Sequence, residues 1–126
     1  MAVGVGVDRV VHVLRQPGGL VLVGLREARV GQVHVGQAAV HGVAYGGGFQ
    51  LALAADLRFM HAETKLSIME INWGLVPDMA GYALWKGMIR DDVLRELTYT
   101  NREFSGAEAR DLGFATYVDA NPHARA

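Results

Sequence analysis

Four features of this 126-residue chain could do chemistry: the run Gly46-Gly47-Gly48, then Gln50, Glu70 and Asp78. Glycines can turn sharply and let a ligand approach the backbone. This run leads into Phe49–Asp56, an apolar stretch that reads as a helix buried on most sides. Helix N-terminal amides and the helix dipole favour negative charge, so backbone N–H groups here can hold an oxyanion that develops during a reaction. The plainer alternative is a tight strand-to-helix turn that needs glycine in any case. Glu70 interrupts the apolar stretch Leu66–Ile71. A carboxylate partly desolvated there should have a raised pKa, which suits it to proton transfer; a surface-facing strand residue is the alternative. Gln50 falls on the first turn of the helix, where its amide can orient a water or a substrate but cannot shuttle a proton at neutral pH. It can equally be no more than a polar residue on that turn. Asp78 is either a second acid or the N-cap of the helix that follows.

The elements that must position these residues follow from the pattern. Ala38–Ala44 is small and apolar, as suits a buried strand. Leu57–Met60 is a second short strand, His61–Lys65 a polar turn, and Leu66–Ile71 a strand-like return. Gly74–Pro77 forms a loop, and a helix from Asp78 runs to about Met88, weakened by Gly81 and Gly87. Asp91–Thr100 is a further helix with Val93, Leu94 and Leu97 on its apolar face. Arg102–Phe104 can be a short strand. Ser105 to Glu108 is a capping box, Gly113 suits the C-terminal stop, and Phe114–Val118 closes the chain as a strand. Alternating strands and helices predict an α/β layer with mostly parallel pairing.

Composition narrows the function classes. The net charge of -1 argues against a global basic field and hence against nucleic acid as a partner. With no cysteine, disulfide frameworks, thiolate chemistry and Cys-based zinc sites are excluded. His12, His34 and His41 do not form a metal spacing on one helix face. Apolar runs are broken by Gly, Arg or Asp well before the roughly 18 residues of a membrane span, and the N-terminus lacks the basic cluster and apolar core of a signal peptide. The expectation is a soluble cytoplasmic protein.

The two halves differ. Residues 2–44 use only Val, Gly, Ala, Leu, Arg, His, Gln, Pro, Asp and Glu, the types encoded by codons that begin with G or C. A GC-rich gene read one position out of frame yields that set, so residues 1–37 are expected to be an atypical segment, frame-shifted or misassigned at its start; a Val/Gly-rich strand-forming segment is the alternative. Val-rich pieces at 10–14 and 20–25 have strand propensity, with Pro17-Gly18-Gly19 as a turn between them. Gly4-Val5-Gly6 lacks the third glycine of a dinucleotide fingerprint.

The run from His41 to Asp56 (HGVAYGGGFQLALAAD) resembles the signature stretch of the enoyl-CoA hydratase/isomerase, or crotonase, superfamily. Lys65-Leu66-Ser67-Ile68-Met69-Glu70 is similar to that family's catalytic-glutamate segment, Trp73-Gly74-Leu75-Val76-Pro77 to its following loop, and Glu96–Thr100 with Ser105–Gly113 to its later helices. The motifs cover residues 38–119, about a third of a usual member, and leave 120–126 as a tail. Val5–Asp8 stands at about the right distance before Gly47 for the family's first oxyanion loop, but the composition around it argues against that alignment.

The resemblance implies a partial crotonase-like (ClpP/crotonase) α/β fold with short, mostly parallel strands and flanking helices. It implies an acyl-CoA thioester as substrate, no metal or redox cofactor, and trimers or hexamers as the assembly common in the family. The Gly47 amide, carried by the Gly46–Gly48 bend, would be one of two donors to a thioester enolate. Glu70 would transfer protons, and Met69 would line the acyl site. Gln50 stands where hydratases of the family place their other glutamate, so hydration by two acids is in doubt and isomerisation by one acid-base residue is slightly favoured. Asp78, eight positions after Glu70, is similar in spacing to the second acid of the dienoyl-CoA isomerase branch, which would carry an aspartate at position 50. Asp56 falls on a commonly structural position, and Trp73 and the methionines are expected to be packing residues. An inactive remnant or an interaction protein is the rival reading.

Overall fold

The computed structural model describes the backbone of residues 7–16, 19–30 and 33–126, and side chains from Val35 onward. Gly4-Val5-Gly6, Pro17-Gly18 and the side chains of His12 and His34 lie outside the described residues, and of the Val5–Asp8 stretch only the backbone of Val7 and Asp8 is described.

Three long strands open the fold: β1 (Val7–Gln16), β2 (Gly19–Val30) and β3 (Val33–Tyr45), each antiparallel to the next. Each is longer than its apolar pattern predicts. The β2–β3 ladder runs from Val21 opposite Gly42 to Val30 opposite Val33, so backbone pairing carries Arg26, Glu27 and Arg29, which break the apolar run. Hairpin register propagates through main-chain hydrogen bonds whatever the side chains.

From Ala38 onward the pairing becomes largely parallel. β3 pairs with β4 (Leu57–Met60) through Gln37–Val40, and β4 pairs with β7 (Tyr117–Val118). The far end of β3, Val43–Tyr45, pairs instead with β5 (Lys65–Ser67), which is antiparallel to β6 (Phe104–Ser105). Between the two partners of β3 sits Gly42 with φ 74°. A left-handed residue there lets the strand bend from one neighbour to the other, at little cost because it has no Cβ.

Helix α1 (Gly47–Leu53) forms the crossover between parallel β3 and β4. It starts two residues before the expected Phe49 because the Gly46 carbonyl accepts from Gln50 N at 3.0 Å. It stops before the expected Asp56 because the Arg58 guanidinium takes the Ala55 carbonyl at 2.7 Å, and the Asp56 carboxylate accepts from Gly36 N at 2.7 Å. Those bonds turn the chain into β4 and tie it back to β3. Phe49 then anchors α1 in the core, with its ring centroid 5.0 Å from Phe114, 5.7 Å from Phe104 and 6.2 Å from Trp85.

Several expected elements are shortened or displaced. β5 ends at Ser67, and Glu70–Trp73 is a 3-10 turn rather than strand. Gly74 (φ 67°) terminates that turn. α2 covers only Gly81–Trp85, because Ala80 is left-handed and Lys86 leaves the helical region. α3 (Asp91–Thr100) has the expected bounds. Before α4 (Gly106–Leu112), Ser105 accepts from Glu108 N at 3.0 Å, and Gly113 ends the helix with φ 102°. The Glu108 carboxylate turns away to Arg102 at 2.8 Å. Phe114 is fully buried outside any strand, so β7 begins only at Tyr117; α5 (Pro122–Arg125) closes the chain. Among the described residues no helix is long and apolar enough to cross a membrane.

Candidate active site

The end of β3, the N-terminus of α1, the 3-10 turn after β5 and the loop before α2 converge on one cavity. It has a volume of about 570 Å³, in the range of small-molecule sites. Of the residues singled out from the sequence, its walls include Gly46, Gly47, Gln50, Met69, Glu70 and Asp78 but not Gly48. Tyr45, Trp73, Leu75 and Met79 complete the lining.

Gly46 makes the bend. Its φ of 52° and ψ of -121° belong to glycine, and its amide donates to the Ser67 carbonyl at 3.0 Å, pinning the bend to β5. The chain enters α1 immediately afterwards, so the Gly47, Gly48 and Phe49 amides have no carbonyl to bond within the helix. A Cβ built on Gly46 would stand 3.5 Å from Glu70 Oε1, so the glycine backbone and the glutamate face each other at contact distance.

Glu70 is buried, at 8 % exposure. Its Oε1 accepts from Gln50 Nε2 at 2.5 Å, while Oε2 is buried with no hydrogen-bond partner. The surface-facing alternative is therefore set aside. Its burial comes from β5 and the residue after it, which carry Leu66 and Ile68 into the core and deliver Glu70 on the turn that follows.

Gln50 sits on the first turn of α1, as expected, and lines the cavity. It is 2 % exposed, and both ends of its amide are occupied. Nε2 serves Glu70, and Oε1 accepts from Met79 N at 2.9 Å and Gly81 N at 3.1 Å. The Gln50 carbonyl oxygen is fully used, and of its two N–H groups one is committed to Glu70. The same bonds correct the capping role weighed for Asp78. The residue before α2 is Ala80, with no side-chain cap, and the first amide of that helix is captured by Gln50 instead. Asp78 is exposed on the cavity wall.

Trp73 is a further correction. Expected as a packing residue, it is 78 % exposed at the cavity, with Leu75 and Met79 beside it also exposed. Met60 alone among the described methionines is fully buried. Trp73 and Leu75 belong to the loop motif quoted above, so their segment was visible in the sequence but their orientation was not. Tyr45, the residue before the bend, carried no sequence signal; its hydroxyl donates to the Glu103 carboxylate. Among the described residues no group of three or more histidines or carboxylates is placed to hold a metal ion.

Comparison with known proteins bears on the family and the fold. The enoyl-CoA hydratase/isomerase family model matches residues 25–124, a wider span than the 38–119 covered by the motifs. The chain is 36 % identical over 83 residues to the enoyl-CoA hydratase domain-containing protein 2, mitochondrial, of Mus musculus, covering 66 % of this chain and 28 % of that protein. It is 36 % identical over 81 residues to the peroxisomal Delta(3,5)-Delta(2,4)-dienoyl-CoA isomerase of Arabidopsis thaliana, covering 64 % and 29 %. A Thermobifida fusca YX protein solved in complex with acetoacetyl-CoA superposes with a TM-score of 0.66 at 37 % identity, covering 71 % of this chain and 36 % of that one. The chain thus spans about a third of the length of the relatives it matches. With a mixed α/β sheet of the crotonase type and this match over most of its residues, the chain belongs to the enoyl-CoA hydratase/isomerase family.

Proposed function

We propose that the chain binds an acyl-CoA thioester and stabilises its enolate, with double-bond isomerisation of an enoyl-CoA as the reaction. One observation carries this reading: the Gly46–Gly47 bend and Glu70, a buried carboxylate with one oxygen left without a hydrogen-bond partner, line one cavity of suitable volume. Glu70 takes a proton from the carbon next to the thioester carbonyl. The electron pair moves onto the carbonyl oxygen, where the Gly47 N–H stabilises the charge. Glu70 then returns the proton two carbons further along the chain, so the double bond shifts and nothing else is consumed. Met69 and Leu75 offer apolar surface to the acyl chain, and Asp78 stands as a second acid at the wall. Isomerisation is favoured over hydration because Gln50 cannot serve as a second proton carrier.

The test is a pair of assays, 3-enoyl-CoA isomerisation and crotonyl-CoA hydration, on the wild-type chain and Glu70→Gln. Isomerisation that falls by about 10²–10⁴-fold in the variant is expected. Hydration faster than isomerisation would reverse the choice of reaction. No turnover of either substrate by folded protein would favour a second reading, a non-catalytic interaction protein. The exposed apolar side chains Ile71, Trp73, Leu75, Val76 and Met79, close together along the chain, support that reading, since exposed apolar patches mark binding sites.

A further inference from the structure

We propose that Gln50 is a positioning residue that orients the Glu70 carboxylate so that Oε2 is its proton-carrying atom, and that it couples this orientation to the Met79–Gly81 segment. The inference rests on the proposed acid-base role of Glu70. Two backbone donors, Met79 N and Gly81 N, converge on a single atom of the Gln50 amide. Only the carbonyl oxygen can accept both, so the orientation of the amide is decided by chemistry. Its NH₂ group must then face Glu70, and the 2.5 Å contact to Oε1 is a donated hydrogen bond. An oxygen that accepts from a fixed donor is a poor place for a proton. Of the two oxygens, Oε2 is the one left free to take a proton; it is buried and has no hydrogen-bond partner.

The clamp has no slack. A Cβ on Gly81 would stand 2.8 Å from Gln50 Oε1 and 2.9 Å from the Trp85 ring, so the amide packs against bare backbone. Gln50 itself sits on the first turn of α1, whose start is set by the Gly46 bend. One side chain thus joins the glycine bend, the acid-base residue and the start of α2. Movement of the 79–81 segment would pull the amide oxygen and release Glu70 from its orientation.

The chain has four glutamines, Gln16, Gln32, Gln37 and Gln50, so its side-chain amide resonances can be assigned by substitution. The first measurement is the Gln50 ¹⁵Nε2 signal from about pH 4 to about pH 9. It should respond to pH in a way that vanishes in Glu70→Gln, which establishes the contact between the two side chains in solution. The second is steady-state isomerisation by Gln50→Leu, expected to lose about 10–100-fold in kcat with KM little changed, as for a misplaced catalytic group. Gln50→Glu, which can donate to Glu70 only when the new carboxyl is protonated, should move the activity maximum to lower pH. A Gln50 amide that does not titrate, or titrates identically in Glu70→Gln, overturns the proposal. So does Gln50→Leu with unchanged kcat, or with raised KM and intact kcat. A wild-type chain with no isomerase activity would sink the isomerase reading, and the amide titration alone would then decide the clamp.

Discussion

Replacing Gly46 by alanine isolates the cost of the bend on which the cavity depends. Its φ of 52° and ψ of -121° lie where a side-chain-bearing residue is strained by about 1–3 kcal/mol. Steric overlap adds little, because the nearest atoms to the new Cβ would be Glu70 Oε1 at 3.5 Å, Met69 Cβ at 3.7 Å and Glu70 Cδ at 3.8 Å, ordinary contact distances. Loss of glycine freedom in the unfolded chain gives back about 0.4–1 kcal/mol. The net destabilisation is about 1–2 kcal/mol. With a urea m-value of about 2 kcal/mol/M, the unfolding midpoint of Gly46→Ala should fall by about 0.5–1 M. Gly47→Ala is the internal control. Gly47 is a helical residue without positive φ, and its Cβ would meet only the flexible Met79 sulfur at 3.0 Å. Alanine gains helix propensity there, so its midpoint should stay within about 0.3 M of wild type. Urea unfolding followed by circular dichroism of the three proteins decides the matter. A Gly46→Ala midpoint equal to wild type, or a Gly47→Ala midpoint that falls as far, would refute the assignment of strain to the bend.

Gly106→Ala should be far more damaging, at about 3 kcal/mol or more, because its Cβ would lie 2.0 Å from the His61 carbonyl oxygen; relief would strain the bonds from Gly106 N to Thr64 O and Ala107 N to Ala62 O. A thermal melt within a degree or two of wild type would show that the 61–64 turn yields more readily than backbone should. Burial first, then the neighbouring His123 and His61, lowers the pKa of His41 below its ordinary value of 6.5. The unfolded chain therefore binds the proton more readily, so the contribution of neutral His41 is fully present above about pH 6.5 and is lost as pH falls through its folded value. Urea midpoints should drop between about pH 7 and pH 5, and His123→Gln should flatten that drop; an unchanged slope in the variant would count against the histidine contact.

The resemblance was legible because its residues are local. Gly46 must bend, Phe49 must anchor the helix, and Glu70 follows a short apolar strand; each is specified within a few neighbours along the chain. The same holds for α3, whose bounds match its apolar face, and for Ser105 and Gly113, whose capping roles depend on residues three or four positions away. The composition of residues 2–44 marked that half as different in kind, yet it did not measure its strands, because hairpin length depends on a partner backbone.

What tertiary structure alone decided concerns contacts between distant segments. Asp78 has the residue type of an N-cap, but Gln50, far upstream, reaches the α2 amide first. Trp73 has the composition of a core residue, but the 3-10 turn that buries Glu70 leaves the indole in solvent. Gln50 could hold water, substrate or nothing until three partners arrived from two other elements. Sequence determines which groups are available and which way the nearby backbone turns, since propensity and capping act over a few residues. Which donor meets which acceptor is settled only when packing brings remote segments together, because each buried polar atom has room for very few partners.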